Sequence, residues 1–145
     1  MGFSNKDSLL LHSLVKTFAS PKKVYPTLAL PVQLTATTTA WVLGSFTEIV
    51  PSNAITDRFR IDYISCASFS AANTYEVVLY AGALGSETEI GRTRVHPGAT
   101  ANTEISIPMF TELQPANTRI SAKIATSTGV ANTVYTSIVY HIDAE

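Results

Sequence analysis

The sequence predicts an all-β protein: an eight-stranded antiparallel sandwich, jelly-roll-like, with an N-terminal arm made of a short helix and an extended strap. Three observations lead there. From residue 31 onward, apolar residues recur at every second position in eight successive runs, the periodicity of half-buried strands. Gly, Pro, Asn and Ser clusters separate the runs, with no helical segments between them, which argues for a sandwich or barrel. An eight-residue motif is also written twice, as FTEIVPSN at 46–53 and FTELQPAN at 110–117. Eight strands at this chain length match a jelly roll. A seven-stranded immunoglobulin-like sandwich is the alternative, and it lacks the paired Cys and central Trp of that fold.

The elements follow in order. Leu10, Leu11, Leu14, Val15 and Phe18 recur at three- and four-residue spacing, which predicts a helix. Ser4, Asn5 or Asp7 would cap it, and Pro21 stops it. Such a helix is too short to be stable alone in water. It must bury its stripe on the body, on a neighbouring subunit or on a larger partner. SPKKVYPTLALP follows, with prolines at 21, 26 and 31, and these forbid a helix and impose an extended strap. Residues 1–30 therefore read as an arm and 31–145 as the β-sandwich domain.

The first strand is expected at 31–36 and the second at 40–50, with Gly44 marking a bulge. In DRFRIDYISCASFS, Phe59, Ile61 and Tyr63 are expected on one face, and Arg58, Arg60 and Asp62 on the other. TYEVVLYAG puts Tyr75, Val77 and Leu79 together. EIGRTRV opposes Arg92 and Arg94 to Thr93 and Val95. TEISIPM opposes Ile105 and Ile107 to Glu104 and Ser106. RISAKIATS opposes Ile120, Ala122 and Ile124 to Ser121 and Lys123. The last run, TVYTSIVYHI, opposes Val134, Thr136, Ile138, Tyr140 and Ile142 to Tyr135, Ser137, Val139 and His141.

The repeat extends beyond its eight letters. AANTYEVVLY at 71–80 echoes VANTVYTSIVY at 130–140. Each half reads strand, Pro-x-Asn turn, strand, Ala-Asn-Thr turn, and a strand ending in Tyr. Pro51 and Pro115 fix φ, while Asn53 and Asn117 suit a positive-φ turn position. These are turn parts and not reactive groups, so the repeat reads as duplicated architecture.

Composition bounds the function. The chain has 145 residues, of which 14% are charged, against about 25% in an average domain. Thr, Ser, Asn and Ala cover the surface in place of charge, which suits burial against protein neighbours. Net charge is −1, which argues against a nucleic-acid partner. Residues 1–30 carry Lys6, Lys16, Lys22 and Lys23 against Asp7, a net +3, so the body carries −4. A basic arm on an acidic body is either a docking device or a solvated tail. No apolar run is long enough to span a bilayer. His12, Lys16 and Asp7 disagree with a cleaved leader, which is not expected.

Chemistry is sparse. Cys66 is the single cysteine. It sits mid-strand with no adjacent cation, so it reads as a structural thiol. His96 lies near a turn, but nothing in its spacing to Cys66 supports a nucleophile–base pair. His141, Asp143 and Glu145 alternate at the C-terminus and read as a solvated tail before a cation site. The pairs Arg58/Arg60 and Arg92/Arg94 form either a basic stripe or the wet side of half-buried strands. No catalytic residue, cofactor site or metal ligand is expected. Trp41 opens an apolar strand and reads as core or interface, with sugar stacking as the other use of an exposed ring.

One resemblance adds to this reading. TAWVLGSFTEIVPSNAITDRFRIDYIS, YEVVLYAGALGSETEIGRTRV, ISIPMF, PANTRISAKIATSTG and SIVYHI together resemble the small jelly-roll decoration, or cement, proteins on the outside of tailed-bacteriophage heads. The resemblance covers about residues 38–142 and implies a structural virion protein without catalysis. It implies a homotrimer bound to a major capsid protein or another virion protein, assembled in the host cytoplasm. The arm lies outside the resemblance. Arms in such proteins reach neighbouring subunits, which would make Leu10, Leu14, Phe18, Lys22, Lys23 and Tyr25 partner contacts. The alternative is a tail- or fibre-associated module that binds a carbohydrate or receptor, with Trp41 as its ligand contact. A hydrolase on this scaffold is disfavoured, because paired carboxylates and a metal cluster are missing.

Overall fold

A computed structural model of the chain describes residues 21–99 and 103–143. The helix expected over Leu10, Leu14 and Phe18 lies outside the described residues. Within them are nine strands and no helix. The strands are β1 (Lys23–Tyr25), β2 (Val32–Thr35), β3 (Thr47–Val50), β4 (Phe59–Ala67), β5 (Tyr75–Ala81), β6 (Thr88–Val95), β7 (Ile105–Pro108), β8 (Ile120–Thr126) and β9 (Thr133–Ile142). The first sheet runs β1-β9-β4-β7, with β2 also on β9, and the second runs β3-β8-β5-β6. All pairs are antiparallel. The chain changes sheet at every connection except β1–β2 and the β5–β6 hairpin. From β2 to β9 this is the winding of a jelly roll.

The core lies between the sheets, as period-two patterning dictates. Tyr75, Val77 and Leu79 of β5 face Phe59, Ile61, Ile64 and Cys66 of β4, with Ile120 and Ile124 of β8 and Val134 and Ile138 of β9 completing it. All of these are fully buried, and burial of each large apolar side chain contributes about 1.5–3 kcal/mol. Tyr75 keeps its hydroxyl satisfied by donating to the Ala71 carbonyl at 2.9 Å.

The repeated motif is architecture. The first copy supplies β3, which pairs with β8. The second copy continues beyond β7 along β4, where Met109, Thr111 and Gln114 donate backbone N–H groups to Asp62, Ile61 and Phe59. β4 then pairs with β9, and β8 with β5. Exchanging the two halves maps these pairings onto one another. The turns correspond as well: Ser70 Oγ accepts from the Thr133 amide, and Ser127 Oγ accepts from the Thr74 amide.

Three expectations are corrected. The strap does not leave the body, because residues 23–25 pair with β9 and add a ninth strand inside the region assigned to the arm. The strand expected over 40–50 is regular only from Thr47. Residues 41–46 still border β8, through Trp41 and Gly44 amides that donate to the Thr126 and Ile124 carbonyls. Trp41, however, has a φ of 60°, which breaks the ladder. Finally, Tyr63 does not share a face with Phe59 and Ile61. A bulge between Ile61 and Tyr63 inserts one residue, so Tyr63 points outward and Ile64 and Cys66 point inward.

Candidate interaction surfaces

The outer face of the second sheet carries ion pairs and cation–ring contacts around Val78, Ala125 and Ser121, which are buried; Ser121 Oγ has no hydrogen-bond partner among the described residues. Glu76 of β5 lies nearly covered and accepts from Arg92 and Arg94 of the neighbouring edge strand. Arg92 also holds Glu89 at 2.6 Å. These partners keep the Glu89 carboxyl below its ordinary range and raise the Arg92 guanidinium. The Arg94 guanidinium stacks 4.4 Å from the Trp41 ring centre. Trp41 is anchored at the end of β8 and Arg94 lies on β6, so this stack bridges across β5. The Lys123 ammonium lies 3.9 Å from the Phe46 ring centre and 5.7 Å from that of Tyr80. Burial, reinforced by Glu89 and Glu76, pushes the Tyr80 phenol up against the opposing pull of Arg92. Arg119 joins Glu48 and Glu87 at 2.7 and 3.1 Å.

The outer face of the first sheet is different. Cross-strand register aligns Val24 with Val139, Val139 with Tyr63, and Tyr63 with Pro108. An apolar row therefore crosses the whole sheet, extended by Phe110, whose ring lies 5.8 Å from that of Tyr63. Beside it runs a serine row, in which Ser137 pairs with Ser65 and Ser65 with Ser106. The far side of the apolar row carries an ion cluster. Asp62, in the β4 bulge, is buried, and its Oδ2 takes both Lys22 Nζ at 2.7 Å and His141 Nδ1 at 2.8 Å. Arg60 pairs with Asp143 at 3.1 Å.

The sequence-selected residues thus have definite places. Lys22 is tied to the body, Lys23 is exposed opposite Tyr140, and Tyr25 packs against the core. The strap residues expected to contact a partner therefore touch their own domain. Trp41 is 43% exposed. The two arginine pairs do not form one stripe, since Arg60 belongs to β4 and Arg92 and Arg94 to the other sheet. His141 and Asp143 turn to separate partners, and Glu145 lies outside the described residues. Cys66 is buried, which pushes its thiol up to about 12. His96 Nδ1 accepts from the Gly98 amide at 2.9 Å. Among the described residues no group of three His, Cys, Asp or Glu side chains is placed to hold a metal ion.

Two surface features went unread in the sequence. Phe110 combines a φ of 45° with 66% exposure, a strained setting for a bulky residue. Its place in the repeat concealed it, because the equivalent Phe46 packs on Tyr80. An open groove of about 680 Å³ also lies between the start of β6 and residues 112–118, lined in part by Glu89, Ile90, Glu112 and Pro115.

No known protein family matches the chain, and no curated protein matches it. Solved structures do show similarity. The infectious bursal disease virus Gx strain structure aligns at a TM-score of 0.45 and 16% identity, over 86% of this chain and 32% of that chain. The VP2 subviral particle of infectious bursal disease virus aligns at 0.46 and 18%, over 83% and 32%. The CBM22-1–GH10 modules of Clostridium thermocellum xylanase 10B, complexed with xylohexaose, align at 0.35 and 12%, over 83% and 26%. The chain spans about a third of the length of the two viral chains. Likeness at this level carries no functional inference.

Proposed function

We propose that this chain is a structural virion protein without catalysis, a decoration or cement protein that binds the outside of a phage head and stabilises it, and that it works as a homotrimer. The observation that carries this reading is the placement of its exposed apolar side chains. Leu28, Leu30, Trp41, Val42, Leu84, Phe110 and Val130 are all exposed, and all lie in connections between strands. Single exposed apolar residues are ordinary. Large ones spread over five connections, around a domain with few charges, suit contacts with several protein neighbours at once. The sequence resemblance to head decoration proteins points the same way.

The test is light scattering on the purified chain, followed by co-sedimentation with expanded phage heads. A trimer that saturates the heads is the expected result. A monomer that ignores heads would overturn the proposal. Trp41 favours the second reading, a tail- or fibre-associated carbohydrate- or receptor-binding module, because its ring is half exposed and offers a stacking face beside Arg94. Titration of Trp41 fluorescence with a set of glycans separates the two, since only that module responds.

A further inference from the structure

The two outer faces of the sandwich are unequal. The second sheet is covered by ion pairs and cation–ring contacts. The first presents the apolar row of Val24, Val139, Tyr63 and Pro108, with no described element over it. The serine row next to it is sunk at Ser137, which is 1% exposed although it projects outward, and its Oγ has no hydrogen-bond partner among the described residues. Small side chains between rows of larger ones make a trough. The larger neighbours are Val139 and Tyr63 on one side and Tyr135 with Gln33 on the other, the latter two aligned by register.

We propose that this face seats the chain's own N-terminal segment, with Leu10, Leu14 and Phe18 laid against the row of Val24, Val139, Tyr63 and Pro108. Three facts select this occupant. The described chain starts at Pro21, beside the face, and the Lys22 bond to Asp62 fixes that start at its edge. The segment carries an apolar stripe of about the right extent. Residues 8–18 as a helix would span about 16 Å, and a four-strand sheet about 14 Å between its outer strands. Reach is sufficient too, because with residues 8–18 helical the three residues from Phe18 to Pro21 extend at most about 11 Å and Leu14 lies about 6 Å further along the helix. A tether this short gives a local concentration in the millimolar range, which favours the segment's own body over another copy. The Lys22–Asp62 anchor thus replaces the expected outward reach of the arm with an inward one.

Limited trypsin digestion of the full-length chain tests this at Lys16, which lies inside the proposed seated segment. Lys16 should be cut slowly in the parent protein at every concentration. It should be cut about tenfold faster in Val139→Glu, the change that loss of about 1.4 kcal/mol of docking produces. The triple change Leu10→Ser, Leu14→Ser, Phe18→Ser leaves the sandwich untouched and should act alike, so the test survives if Val139→Glu does not fold. Equal cleavage rates in the parent and the triple variant would overturn the proposal. So would protection that appears only as concentration and particle mass rise together, since the occupant would then be a second copy.

Discussion

The backbone amide of Asn53 donates to the carbonyl of Asn117 at 3.3 Å, and both residues have a φ of 67°. One comes from each copy of the repeated motif. The Asn117 amide in turn donates to the Ile55 carbonyl at 2.8 Å. The two Pro-x-Asn turns therefore brace each other where the halves of the sandwich meet. Their shared left-handed backbone is the physical reason the motif is written twice: each half needs a residue that tolerates positive φ at the same corner.

Substitution at these corners should follow backbone conformation. Asn53→Gly and Asn117→Gly should change stability by a few tenths of a kcal/mol, because glycine adopts positive φ freely. Asn53→Ala and Asn117→Ala should each lose about 1–2 kcal/mol. The turns touch, so the double alanine variant should depart from additivity by about 0.5 kcal/mol or more. Urea midpoints at constant m-value provide the measurement. Equal effects of Gly and Ala would show that φ does not govern these corners.

Cys66 should be chemically silent in the folded protein. Its thiol is buried and raised from 9.0 to about 12, so a thiol reagent should react only as the chain unfolds. The sign of the linkage follows. Above pH 9.0 the unfolded thiol ionises while the folded one keeps its proton, so stability falls with rising pH from 9.0 towards 12. The Cys66 share of that slope is at most about 1.4 kcal/mol per pH unit. Cys66→Ala should remove this share and leave any slope from tyrosines. Cys66→Ser should cost about 1–3 kcal/mol through the buried hydroxyl. An unchanged alkaline slope in Cys66→Ala would contradict the assignment.

Gly44 is held by contact and not by φ. A Cβ there would lie 2.6 Å from the Thr35 carbonyl oxygen, a backbone atom that cannot swing aside. Gly44→Ala should therefore cost about 1–3 kcal/mol. It should also loosen the 41–46 segment, whose Gly44 amide reaches the Ile124 carbonyl. Trp41 reports the change directly, because displacement from Arg94 alters its fluorescence. Gly85 is the opposite case: a Cβ there would meet nothing within 4 Å, but its φ is 87°. Gly85→Ala thus tests φ strain without contact and should leave Trp41 emission unchanged.

Local pattern made most of the strands legible. Tyr75, Val77 and Leu79 alternate cleanly because β5 is central and regular. Positive φ at Asn53 and Asn117 was legible because Asn after Pro-x is a turn signal with a mechanism. What was illegible depends on tertiary pairing. Lys23 to Tyr25 became strand only because the β9 edge was there to receive it. The bulge at Asp62 has one local trace, the three-residue step from Ile61 to Ile64, and alternation alone carries the reading past it to Tyr63. The sequence leaves Arg92 and Arg94 open between a basic stripe and the wet side of a strand, because Glu76, their partner, lies sixteen and eighteen residues away on the neighbouring strand. The exposure of Phe110 follows from its φ, which its letter does not disclose.

The cluster at Asp62 should reveal its order of importance through paired substitutions. Lys22 is half exposed, with its side chain at 51%, whereas the Asp62 and His141 side chains are at 6% and 12%. Lys22→Met alone should cost under about 1 kcal/mol, since an exposed partner contributes little and His141 still reaches the carboxylate. His141→Leu alone should also be tolerated, with Lys22 in place. Removing both leaves the Asp62 carboxylate without the Lys22 ammonium and the His141 imidazole in a covered site, and the cost should rise to about 3–5 kcal/mol. The effect of the double variant should therefore exceed the sum of the singles by more than about 1 kcal/mol. Asp62→Asn, added to the double variant, should recover much of the loss, because a neutral amide does not carry the buried charge. Chemical denaturation of these variants beside the parent protein checks the cycle, and simple additivity would mean that water, rather than Lys22 and His141, stabilises the Asp62 carboxylate.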